Sequence, residues 1–130
     1  MKEIEGGVTV AEGFKSAGTT CGIKESGKKD MALVYSEDKA EAAAVFTTNE
    51  MKAAPVQVSQ SRIKKGKARA IIVNSGNANA CTGKKGLEDA RGMANLTAEK
   101  LLLDNEEVLV ASTGIIGEPL NMDKITNGIN

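Results

Sequence analysis

The sequence predicts an α/β fold, and three observations carry that prediction. Short β-branched runs, above all Ala68-Arg69-Ala70-Ile71-Ile72-Val73 and Glu106-Glu107-Val108-Leu109-Val110-Ala111-Ser112, read as strands. Between them, residues 86–103 repeat apolar side chains at spacings of three and four (Leu87, Ala90, Ala94, Ala98, Leu101), the stripe of an amphipathic helix. Strands and helices alternate with no repeat, low-complexity tract or linker, so the 130 residues read as one domain.

Taken in order, Phe14-Lys15-Ser16-Ala17-Gly18-Thr19-Thr20-Cys21-Gly22-Ile23 predicts an irregular strand punctuated by glycine, and Gly27-Lys28-Lys29-Asp30 a turn. Residues 31–36 and 42–48 are two apolar runs parted by Glu37-Asp38-Lys39-Ala40-Glu41, which predicts strand, charged connection, strand. Pro55-Val56-Gln57-Val58-Ser59 alternates as a strand with proline at its tolerated first position. Residues 59–66 predict a short helix capped by Ser59 and stopped at Gly66. The long helix contains Gly92, which lowers its intrinsic stability by about 1 kcal/mol relative to alanine, so packing must hold it. After the strand at 106–112, Thr113-Gly114-Ile115-Ile116-Gly117-Glu118-Pro119 reads as a turn. A last helix starts near Asn121, where Asn121 and Asp123 suit the positive end of the helix dipole.

Composition excludes several chemistries. There is no histidine and no tryptophan, and the aromatic residues are Tyr35, Phe14 and Phe46. Within this chain that removes imidazole general bases, Ser/His/Asp and Cys/His pairs, and the usual zinc sites. With so few rings for base stacking, and 17 Lys plus Arg against 17 Asp plus Glu, nucleic acid is not an expected partner. Met1-Lys2-Glu3-Ile4-Glu5 lacks the apolar stretch of a secretory signal, and no apolar run approaches the roughly 20 residues that span a bilayer. We therefore expect a cytoplasmic protein with no membrane partner. Cys21 and Cys81 stand far apart with no second ligand set, as two small buried thiols would; a disulfide between them stays open. Glu37-Asp38, Glu88-Asp89 and Glu106-Glu107 read as solvated faces or helix-dipole partners, and Lys64-Lys65-Gly66-Lys67 as a solvated basic stretch.

Two segments could carry chemistry. Asn74-Ser75-Gly76-Asn77-Ala78-Asn79-Ala80-Cys81-Thr82-Gly83 lies between a strand and a helix, the layout of phosphate cradles, but six residues separate its glycines and Lys84 is followed by Lys85 rather than Ser or Thr. Its three asparagines serve structure equally well, since their amides bond nearby backbone. Ser112-Thr113-Gly114-Ile115-Ile116-Gly117 follows a β-branched strand; glycine lets a backbone N–H face outward and threonine adds a hydroxyl, the two donors of an oxyanion hole. A tight turn with a local threonine hydrogen bond is the plainer reading of the same residues.

Together these segments resemble the glutamate N-acetyltransferase (ornithine acetyltransferase) family of arginine biosynthesis. The resemblance rests on Gly6-Gly7-Val8-Thr9 with Gly13-Phe14, Phe46-Thr47-Thr48-Asn49 with Ala53-Ala54-Pro55-Val56, the two segments above extended through Glu118-Pro119-Leu120, and Met122-Asp123-Lys124-Ile125. It implies an α/β fold of sheets sandwiched by helices, and a precursor that cleaves itself before a threonine into alpha and beta chains. It further implies that this threonine, activated by its own α-amine, carries the acetyl group from N-acetylornithine to glutamate, without histidine. Thr113 and Gly114 match the family's oxyanion pair. No Ala-Thr cleavage junction occurs in this sequence, so residues 1–130 are expected to be the N-terminal part of an alpha chain, cut before the cleavage site and inactive alone. The expected partners are a beta chain, in a heterotetramer of two alpha and two beta chains, and the small-molecule substrates. No cofactor is expected beyond acetyl-coenzyme A as an alternative acetyl donor. The reading that competes is a non-catalytic anion- or phosphate-binding domain using the loop from Asn74 to Gly83.

Overall fold

The computed structural model describes residues 5–130; residues 1–4, where the absence of a secretory signal was read, lie outside the described residues. Among the described residues four strands form one sheet, β1 (Phe14–Thr19), β2 (Met31–Glu41), β3 (Lys67–Asn77) and β4 (Val108–Ile115), in that order. The first three pair antiparallel and β4 joins β3 in parallel. Three helices complete the fold: α1 (Ala54–Arg62), α2 (Gly83–Leu101) and α3 (Met122–Ile129). The expected α/β class is thus realised as a mixed sheet with one helical layer, and α2 is the crossover a parallel β3–β4 pair requires.

Alternation along β3 decides which face is covered. Ala68, Ala70, Ile72 and Asn74 are buried, whereas Ile71 is 39% exposed. Ala70 and Ile72 join Met31, Val108 and Val110 in a core closed by Val58 of α1, Met93, Ala94 and Ala98 of α2, and Ile125 of α3. The core is aliphatic, with α2 contributing alanines that let it lie close to the sheet. Its stripe follows the predicted period, with Ala90, Met93, Ala94 and Ala98 in the core, so packing holds the helix as expected; a β-carbon on Gly92 would stand 3.4 Å from Met122 of α3. On the opposite face, cross-strand rows Ala32–Val73–Ala111 and Val34–Ile71–Leu109 form an apolar surface, since the core residues of all three helices lie on the other side.

Several strand boundaries differ from the sequence reading, beginning with β1, which ends at Thr19 and not at Ile23. The charged segment 37–41 does not end β2: the strand bulges between Tyr35 and Ala40 and then resumes pairing, Ala40 with Ala68 and Glu41 with Lys67. Arg69 donates to the carbonyls of Ser36 and Glu37 and to the hydroxyl of Tyr35, which holds the bulge. Residues 42–48 are not a strand; they run without regular structure, and Val45 is 99% exposed. Pro55-Val56-Gln57-Val58-Ser59 is helix, not strand, because proline suits the first helical turn as well as a strand start. The helix does stop at Gly66, after a 3₁₀ turn at Ile63–Lys65. Asp89 and Glu107 are also not on solvated faces: both are buried, paired with Lys85 and Lys39.

Ser59 is consequently not a cap but an inward-facing residue of α1. Its hydroxyl donates to the Val110 carbonyl (2.7 Å) and accepts from the Val110 N–H (2.9 Å), occupying main-chain groups of β4 at the outer edge of the sheet. α3 begins as predicted, with the Asn121 side chain accepting from the Lys124 N–H. Among the described residues no helix is long and apolar enough to cross a membrane. Replacing Ser59 by alanine strands a buried donor and acceptor on β4 and is expected to cost about 1–3 kcal/mol in urea unfolding; a change within error would contradict this account of the edge.

Candidate functional site at two strand ends

The two segments singled out in the sequence are neighbours. Strand β3 runs on into the asparagine segment and β4 into the Ser-Thr-Gly segment, and the parallel register sets Asn74 beside Ser112, Ser75 beside Thr113 and Gly76 beside Gly114. Thr113 and Gly114 therefore belong to a strand and not to a turn; the chain bends only at residues 116–118. Pairing outlasts the strands, with the Ala78 N–H donating to the Ile115 carbonyl and the Gly117 N–H to the Ala80 carbonyl, both at 2.9 Å. These are the carboxyl ends of two parallel strands, where α/β proteins place their ligands.

Both glycines at this junction are required by geometry. Gly114 has φ +137°, and a β-carbon there would overlap the carbonyl carbon of Gly76 and stand 2.5 Å from the Asn77 nitrogen. Gly76 has φ +106°, and a β-carbon there would stand 2.7 Å from the Ile23 side chain. The ladder slips at this point, with Asn77 opposite both Thr113 and Ile115. Thr113, Gly114, Ile115, Ile116 and Gly117 are exposed, so the hydroxyl of Thr113 and the main chain of Gly114 can meet a small molecule.

The asparagine amides are turned inward. Asn74 donates to the Asn77 carbonyl (2.9 Å), Asn77 to the carbonyls of Glu118 and Pro119 (3.1 Å each), and Asn79 to the Gly86 carbonyl at the start of α2 (2.8 Å). Thr82 donates to the Asn79 side-chain oxygen at 2.8 Å. The asparagine side-chain nitrogens are thus committed to protein carbonyls, as a structural role requires, and do not face a phosphate. Cys21 and Cys81 are both free thiols, Cys21 half-buried and Cys81 exposed, which corrects the expectation of two buried thiols.

One site residue had no sequence signal. Asp30, read only as the end of a turn, is 1% exposed and accepts from the N–H groups of Cys21 (2.7 Å) and Lys24 (2.9 Å). Its own carbonyl accepts from the Ser75 N–H at 2.8 Å. It thereby fixes the turn carrying Ile23 and Lys24 against Gly76. Its partners lie six and nine residues back along the chain, a separation that no local pattern marks. Burial pushes the Asp30 carboxyl up, but the donated N–H bonds outweigh burial and hold it down at about 2. On the Cys21 thiol, burial acts in the same upward direction as the adjacent Asp30 and raises its pKa.

A family model described as the ArgJ family matches residues 15–130, and the chain belongs to that family. It is 56% identical over 129 residues to the arginine biosynthesis bifunctional protein ArgJ of Caldanaerobacter subterraneus subsp. tengcongensis, covering 99% of this chain and 32% of that protein. The protein of the same name from Gloeobacter violaceus is 54% identical over 123 residues, with 94% and 30% covered. The chain thus spans about a third of the length of these relatives. Among solved structures, the Bacillus halodurans protein argJ superposes with a TM-score of 0.92 at 50% identity, covering 95% of this chain and 65% of that one. The ornithine acetyltransferase of Mycobacterium tuberculosis, solved with ornithine, gives 0.91 at 46% identity, with 95% and 67% covered.

Because the folded pKa of Asp30 lies below its ordinary value of 3.8, the carboxylate stabilises the fold above about pH 4, and that contribution is lost as pH falls toward 2. Asp30→Asn is expected to lower stability by about 2 kcal/mol at pH 6 and by much less near pH 2.5. Urea unfolding at the two pH values checks this; an equal loss at both would contradict it.

Proposed function

We propose that this chain forms the oxyanion-stabilising part of an acyltransferase of arginine biosynthesis that moves the acetyl group of N-acetylornithine to glutamate. The observation that carries the reading is the exposed Thr113-Gly114 pair, pinned against Gly76 at the ends of two parallel strands. The ArgJ family membership and the ornithine named with one solved relative support the substrate class.

In this reading the nucleophile is an N-terminal threonine on a beta chain released from the same precursor by self-cleavage. Its hydroxyl oxygen attacks the acetyl carbonyl while its α-amine takes the proton, and the carbonyl oxygen becomes the oxyanion. The Gly114 N–H and the Thr113 hydroxyl donate to that oxyanion. Collapse breaks the amide C–N bond, the amine leaves protonated as ornithine, and the acetyl group remains as a threonine ester. The amine of glutamate then attacks the ester through a second oxyanion in the same position, and the threonine is regenerated. Neither donor titrates near neutral pH, so a chain without histidine can perform this part of the work.

The same reading makes residues 1–130 the N-terminal part of an alpha chain, inactive alone, acting in the cytoplasm within a heterotetramer of two alpha and two beta chains. It requires no cofactor and leaves acetyl-coenzyme A as a possible second acetyl donor. The apolar face of the sheet, with Val34, Ile71 and Val73 exposed or half-buried, supports the view that further polypeptide of the family covers it.

In the full-length enzyme, Thr113→Val, which removes one of the two donors, is expected to lower kcat for acetyl transfer by about 10²–10³. Turnover unchanged in Thr113→Val, an exposed position where folding is not at stake, would sink the proposed role. The 130-residue chain by itself is expected to self-associate through its uncovered sheet face, and a clean monomer in sedimentation velocity would argue against that.

A further inference from the structure

The proposed oxyanion donors sit where the sheet is least regular. The parallel ladder slips at Gly76 and Asn77, and everything from Thr113 to Gly117 is exposed; main-chain bonds from Ala78 to Ile115 and from Gly117 to Ala80 hold the stretch to the β3 side but reach no further than Gly117. A donor that stabilises developing charge must be fixed before the reaction, because a misplacement of about 1 Å can cost around 100-fold in rate. Beyond Gly117, where those bonds end, a side chain has to hold the exit of the strand.

Asn77 meets the requirement from several directions. It is 7% exposed. Its side-chain nitrogen donates to two successive carbonyls, Glu118 and Pro119, on the segment by which the chain leaves β4. Its side-chain oxygen accepts from the Asn79 N–H at 2.7 Å, which fixes the orientation of the amide, since only oxygen can face that N–H and only nitrogen the two carbonyls. Its own carbonyl accepts from Asn74, whose side chain is wholly buried. Its main-chain nitrogen belongs to the wall that excludes any β-carbon from Gly114. One residue therefore touches the donor strand at Gly114 and again four to five residues later, bracketing the exposed stretch.

We propose that Asn77 is the positioning residue of the site: its carboxamide clamps the exit of β4 and so sets the direction of the Gly114 N–H and the Thr113 hydroxyl. The inference rests on the oxyanion reading above and adds to it a residue that touches no substrate. The chemistry of the clamp requires a donor. A carboxylate in the same volume would turn an oxygen toward the Glu118 and Pro119 carbonyls, repelling the segment the amide holds.

The test uses the full-length enzyme with Asn77→Asp, Asn77→Ser and Thr113→Val, read by steady-state kinetics, circular dichroism, and binding of a phosphonate analogue of the tetrahedral intermediate. In folded Asn77→Asp, kcat is expected to fall about 10- to 100-fold while KM for N-acetylornithine stays within about twofold, and analogue affinity to fall in step with kcat. A merely structural role would not produce that split. Folded Asn77→Asp with kcat within about twofold of the parent, or with a raised KM alone, overturns the proposal. Should Asn77→Asp not fold, Asn77→Ser, which retains a hydroxyl donor, is read by the same criteria; failure of both to fold assigns Asn77 to stability and also overturns it. If Thr113→Val turns over normally, the oxyanion reading itself falls, whereas a slow Thr113→Val beside an unimpaired Asn77→Asp removes only the positioning role.

Discussion

The contact between Gly76 and Gly114 is the constraint on which the rest of the site depends. Parallel strands normally keep their main chains apart by the width of a ladder, and here a side chain on Gly114 would have no room at all. The contact turns two separate sequence segments into one surface. It also places the ladder slip, and hence the outward-facing main chain, at the ends of β3 and β4 where the strands finish. The Cys21–Lys24 turn, held by the Asp30 carboxylate, leans on Gly76 from one side, and the asparagine amides tie the other side to α2 and to the exit of β4.

This arrangement explains why the chain concentrates polar side chains in places an aliphatic core would seem to forbid. Asn74 and Asn79 are fully buried, and Asp30 nearly so. Buried polar groups are tolerated when they are hydrogen-bonded; Asn74 and Asp30 bond main-chain groups of irregular backbone and Asn79 the first turn of α2, while the Asn74 side-chain oxygen finds no protein partner. The sheet's regular part is held by apolar burial, and its irregular end by amides and one carboxylate. The division follows from the distances involved: side-chain amides reach about as far as a missing ladder bond, and methyl groups cannot replace one.

Much of the fold was legible from the residues. The β-branched run of β3, the alanine stripe of α2 and the Asn121 cap stand where their patterns place them, because each is decided by neighbours a few residues away. Pro55 misled because its ring suits a strand start and a first helical turn alike, and only burial of Ala54, Pro55 and Val58 against the core selects the helix. The run at 42–46 is apolar yet finds no strand partner, and the charged residues at 37–41 stay in β2 because Arg69 braces a bulge from the next strand. At the site, Thr113 and Gly114 could be named from their types, but their pairing with β3 is a long-range fact. Asp30 could not be found at all, since its partners are main-chain N–H groups, which every residue but proline possesses.

The hydroxyl of Ser59 has a consequence for how the sheet can grow. By occupying main-chain groups of β4 it blunts one margin of the sheet under α1, while β1 at the other margin is exposed from Lys15 through Thr19. Among the described residues the sheet is thus more open to an added strand alongside β1, some four strands' width from the proposed site, than alongside Val110 of β4. Lengthening of the sheet on the β1 margin proceeds away from Thr113 and Gly114, and leaves their access to solvent untouched.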